Sequence, residues 1–84
     1  MSAQTESLLK YAAVLDVRQF PSAVKHRTIF TVFDALPSGA KMVLINDHDP
    51  KPLYYQLAAE QPDRFSWNYL EEGPEVWQVE IGKV

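Results

Sequence analysis

Eighty-four residues with a net charge of −3, 46% hydrophobic side chains and no cysteine describe one small globular domain. The missing cysteine excludes a disulfide scaffold, a thiolate metal site and a thiol nucleophile. The acidic balance argues against nonspecific nucleic-acid binding, and no apolar run approaches the roughly 18 residues of a membrane span, so neither partner is expected. With no secretory leader either, a soluble cytoplasmic protein is the expectation.

Residues 1–10 are polar, small and aperiodic, which predicts a flexible leader ahead of a single domain over 11–84. From Tyr11 to Val17, the residues Tyr11, Ala13, Leu15 and Val17 alternate with Ala12, Val14 and Asp16, as in a strand with one better-buried face. Pro21 and Ser22 are start signals for a helix over 23–36. Its inner face would carry His26, Ile29, Phe30, Phe33 and Leu36, with Lys25, Arg27, Thr28 and Thr31 turned outward. Pro37-Ser38-Gly39 stops it, and Lys41 to Asn46 is a continuous apolar run suited to a central strand.

Asp49-Pro50 has the chemistry of a helix cap and first turn, with Pro52 tolerated just inside. The helix should run to Glu60 or Gln61, with Leu53 and Leu57 inward, and end at Pro62-Asp63. Phe65, Trp67 and Tyr69 then alternate with polar residues, as do Trp77, Val79 and Ile81 beyond the turn Glu71-Glu72-Gly73-Pro74-Glu75. That pattern is an antiparallel hairpin whose aromatic face belongs to the core. The order is βαβαββ, and the expected fold class is α/β (α+β), a two-layer sandwich with both helices on one face of a four-stranded mixed sheet. Val14 and one apolar pair of the central strand would face a bare side that could support a weak homodimer; otherwise the chain is a monomer.

In such a sheet both helices start at the carboxyl edge of the parallel strands. Arg18, His26, Asn46, Asp47, His48, Asp49 and Lys51 would share that rim, joined by the Gly73-Pro74 turn if the third strand runs the same way. His26, His48 and Asp47 could offer imidazole and carboxylate ligands to a divalent metal. Arg18 and Lys51, with Arg27 as a third candidate, beside two helix starts could hold an anion, against the field of Asp47, Asp49, Glu71, Glu72 and Glu75. Acid–base chemistry by His48 with Asp47 or Asp49 lacks an identifiable nucleophile, oxyanion hole or pocket. The bland alternative is capping and turn hydrogen bonds throughout.

The combination Asp16-x-Arg18, Pro21, His26, Ile29-Phe30, Phe33-Asp34-x-Leu36, NDHDPKPL over 46–53, Tyr55-Gln56, Glu60, Phe65-x-Trp67-x-Tyr69 and Gly73-Pro74-Glu75-x-Trp77 resembles the bacterial domain of unknown function "DUF twenty-two forty-nine". The resemblance runs from about Val14 to Lys83. It implies an accessory role beside hemerythrin-like cation-binding domains, in redox, metal or nitrogen-oxide responses. The element order is also similar to the small sulfur carriers of the TusA and SirA type, whose Cys-Pro is matched here by Phe20-Pro21. Without a thiolate no persulfide forms, so only fold and site location carry over. The leading expectation is a non-enzymatic domain that docks a partner protein or small ligand at the rim, and the alternative is the metal or metal-cofactor site.

Overall fold

The computed structural model describes residues 10–84; the expected leader falls almost wholly outside them. The elements are β1 (Ala13–Asp16), α1 (Ser22–Ala35), β2 (Lys41–Asn46), α2 (Lys51–Glu60), β3 (Phe65–Glu72) and β4 (Trp77–Lys83). The strands form one sheet in the order β1-β2-β4-β3. β1 lies parallel to β2, while β4 is antiparallel to both β2 and β3. β3 therefore runs in the same sense as β1 and β2, and the sandwich has the expected α+β order.

Strand alternation selects the core. Met42 and Leu44 of β2 share a face with Val79 and Ile81 of β4, and all four are fully buried with Ile29 and Phe33 of α1 and Leu53 and Leu57 of α2. Both helices thus cover the same face of the sheet. Burying these side chains is the main drive for folding, about 1.5–3 kcal/mol for each large aliphatic or aromatic residue.

The helix boundaries follow from proline. The Pro21 carbonyl accepts the N–H groups of Val24 and Lys25, and Pro21 itself occupies the cap position of α1. Leu36 is extended because Pro37 follows it, and its N–H returns to the Phe33 carbonyl. Helix α2 is capped by Pro50 rather than by Asp49, and neither helix has a side-chain cap bond. Ser22 and Asp49 are accordingly not caps, contrary to the sequence pattern.

Three further expectations change. β1 is confined to Ala13–Asp16. Val43, on the face away from the helices, is fully buried, so that face is not bare there; Val14 beside it is exposed. Glu80 faces Val43 across the sheet and accepts a hydrogen bond from Tyr11 Oη (2.6 Å), with Lys41 Nζ 3.4 Å away. Finally, Phe65, Trp67 and Tyr69 are only half-buried, because β3 is the outer strand of the sheet.

Candidate functional site

The strand register builds the rim. Asp16 at the end of β1 lies beside Ile45, Asn46 at the end of β2 lies beside Trp77, and Trp77 lies beside Glu72 at the end of β3. Three strand ends, both helix starts and the Gly73-Pro74 turn therefore meet at one edge. Gly73 is required there: its φ is +60°, and a Cβ would fall 2.8 Å from the Trp77 indole.

At this edge the charges are paired into separate groups. Lys25 from α1 crosses to the end of β2, where its Nζ donates to Asn46 Oδ1 at 3.0 Å and lies 3.6 Å from Asp47 Oδ1. Only 11% of the Lys25 side chain is exposed, and Asn46 is buried. His48 Nδ1 donates to Asp47 Oδ1 at 2.7 Å. That bond, followed by the charge of Lys25, holds the Asp47 carboxyl below its ordinary range. Lys25 is the rim residue that helical periodicity turned outward; its long side chain is largely buried and delivers the ammonium to the strand end.

Arg18 is occupied within its own loop. Its guanidinium forks onto Asp16, with Nη2 2.7 Å from Oδ2 and Nε 3.0 Å from Oδ1, while the backbone N–H of Arg18 also reaches Oδ1. The pairing lowers the Asp16 carboxyl and raises the guanidinium. Asp16 faces away from the helices, so this pair sits on the opposite side of the sheet end from Lys25 and Asn46.

His26 is exposed rather than on the buried side of α1. Its Nδ1 donates to Gln56 Oε1 at 2.9 Å and ties α1 to α2. His26 and His48 border one small cleft of about 50 Å³, together with Lys25, Asn46 and Pro50. The metal set His26, His48 and Asp47 is not assembled: among the described residues no three His, Cys, Asp or Glu side chains are grouped to hold an ion.

Asp49 serves the far half of the same stretch. Its Oδ1 accepts the Tyr69 hydroxyl at 2.6 Å, and its Oδ2 lies 4.0 Å from Lys51 Nζ. Partial burial, then this bond to a carboxylate, raises the Tyr69 phenol above its ordinary value. Asp49 thereby joins the rim to a feature the sequence reading missed, an open groove of about 620 Å³ between α2 and β3. Tyr54, Tyr55, Phe65, Trp67 and Tyr69 line it, with Lys51 at the rim end and Asp63 at the other. Its rings meet edge to face: Tyr54 lies 5.7 Å from Phe65 and 5.3 Å from Trp67, and Trp67 lies 6.1 Å from Tyr69. The signal in the sequence was the pair Tyr54-Tyr55, of which Tyr55 is 64% exposed.

Residues 14–83 match the family described as "Uncharacterized conserved protein (DUF2249)". The chain belongs to this family. The matched span includes every residue of the rim and of the groove. No curated protein and no solved structure matches the chain. Among the described residues no helix is long and apolar enough to cross a membrane.

Proposed function

We propose that this member of the family is an accessory binding domain, which takes a partner protein or small ligand at the rim formed by His26 and Asn46 to Lys51, with Arg18 flanking it on the other side of the same sheet end. One observation carries the reading. The stretch 46–53 supplies both a polar edge, where His48 and Asp47 stand 64% and 52% exposed, and, through Asp49 and Tyr69, the mouth of an open aromatic groove. A polar rim continuous with an apolar trough is the composition of a recognition surface, in which aromatic rings supply contact area and the rim supplies orientation. The ionisable groups at the edge are engaged with one another, which fixes the geometry of a surface rather than arming a nucleophile. The family resemblance adds a hemerythrin-like domain as the partner to try first, in a redox, metal or nitrogen-oxide response.

The experiment is affinity capture with the full chain, with the double variant Asp47→Ala/His48→Ala, and with Tyr55→Ser, using a purified hemerythrin-like domain and a cell extract as baits' targets. These side chains are half exposed or more, so the fold is expected to stand. Partners held by the native chain and lost from the rim variant support the reading. An identical set retained by the native chain and the double variant would sink it.

A further inference from the structure

Among the described residues β3 is an edge strand with no strand on its outer side, and its backbone shows what that side offers. Val84 N–H donates to the Arg64 carbonyl at 3.0 Å, so Arg64, Ser66 and Asn68 turn their backbone groups toward β4. By alternation, Phe65, Trp67 and Tyr69 turn their N–H and C=O groups outward, and the same three residues carry their half-buried rings on the helix side. No lysine or proline interrupts Phe65 to Glu72, the devices by which edge strands are commonly protected. The bulge between Tyr69 and Glu71 limits regular pairing to the segment before it.

The geometry points to a second copy of this chain as the occupant of that edge, with β3 paired antiparallel to its symmetry mate about a two-fold axis beside Trp67. Trp67 then faces its own equivalent, and Phe65 faces Tyr69 of the other copy, so all the outward backbone groups of these residues are satisfied at once. The charges favour this register. Glu71 pairs with Gln78, three residues along from the Ile81 that faces Trp67, because the bulge drops one residue from the count. Arg64 lies three residues behind Trp67. Arg64 of each copy is therefore level with Glu71 of the other, both on the face away from the helices, and the symmetry makes the pair twice. Asp63, the acidic neighbour that would oppose Glu72, leaves the strand line with φ 59°. With the axis perpendicular to the sheet, the helices of both copies lie on one side and the two aromatic grooves adjoin. This pairing rests on the strand edge and is independent of what the rim binds.

Sedimentation velocity of the full chain over a dilution series to millimolar concentration should show a reversible dimer. Arg64→Glu should weaken it on the order of tenfold, as two exposed attractions become repulsions, and Arg64→Glu with Glu71→Arg should restore it. Because the chain has no cysteine, single-cysteine variants report the register. Trp67→Cys should cross-link under mild oxidation, since directly opposed hydrogen-bonded residues lie about 5.5 Å apart at Cα, within disulfide reach. Asn68→Cys should not, its equivalents being displaced along the strands. A monomer at every concentration, a dimer indifferent to the charge exchange, or equal cross-linking from both cysteine variants would overturn the assignment. If Trp67→Cys folds poorly, the charge exchange still decides.

Discussion

The two halves of the stretch from Asn46 to Lys51 do opposite things with the same residue types. At the α1 side, Asn46 and Asp47 close around the Lys25 ammonium and His48, leaving a cleft of only about 50 Å³. At the α2 side, Asp49 holds a single tyrosine hydroxyl, and beside it a groove of about 620 Å³ stays open. The difference comes from the strands beneath. Ile29 and Phe33 of α1 share the buried cluster with Met42 and Leu44 of the central strand β2, and Lys25 reaches the end of that strand, whereas the groove is lined by the edge strand β3. A helix start placed over a central strand becomes a sealed polar joint; one placed beside an edge strand becomes the lip of a site.

Breaking the anchor of the open half should have the largest effect. Gly73→Ala forces a side chain onto a backbone at φ +60° and into the Trp77 ring, and Trp77 is the last ring of the aromatic row, 6.1 Å from Tyr69. A loss of about 2–3 kcal/mol is expected, which for a domain of this size lowers Tm by roughly 10–20 °C. Thermal unfolding followed by tryptophan fluorescence measures it, and an unchanged Tm would show that the turn relaxes at no cost.

The closed half predicts a smaller loss. Lys25→Met keeps the apolar stem but leaves Asn46 Oδ1 buried without its donor, at a cost of about 1–2 kcal/mol. Adding Asn46→Leu should recover part of it, because removing both partners avoids the unpaired acceptor. Urea unfolding of the two variants tests this; equal stability of Lys25→Met and the native chain would mean that water replaces the ammonium.

Most of the architecture was readable from alternation and punctuation. The apolar run of β2, the period-two hairpin and the proline and glycine stops all act locally, and local rules place them correctly. The meeting of three strand ends and both helix starts at one edge was readable too, because it follows from the element order alone. What escaped depends on tertiary placement. Lys25 reads as a solvent-facing residue until the end of β2 is known to lie beneath it. Phe65, Trp67 and Tyr69 read as core because alternation marks a face without showing how well it is covered. Insertion of β4 between β2 and β3 put them at the edge. Asp49 followed by Pro50 is a sound capping pattern, but the Tyr69 hydroxyl, 20 residues away in sequence, claims its carboxylate.

The smallest predicted effect separates the two halves by pH. Asp47 has a folded pKa below its unfolded value, through His48 and then Lys25. Its contribution is therefore complete above the ordinary carboxylate range, near pH 4, and is lost as pH falls through the lowered value. Tyr69 has a folded pKa above its unfolded value of about 10, through burial and then Asp49. Its contribution is complete below that pH and is lost as pH rises through the raised value. Acid should loosen the closed joint and alkali the mouth of the groove. The effects are modest because Asp47 is well exposed and Tyr69 only half-buried. Two spectroscopic titrations distinguish them: the His48 ring resonances should respond to Asp47 protonation below pH 4, and phenolate absorbance should show Tyr69 ionising above the ordinary phenol value of about 10. In Asp49→Asn the phenol loses its charged acceptor, so its ionisation should move down toward the ordinary phenol value while the acid-side behaviour of Asp47 is unchanged. If both transitions moved together, the two halves would be one electrostatic unit and the division between joint and groove would fail.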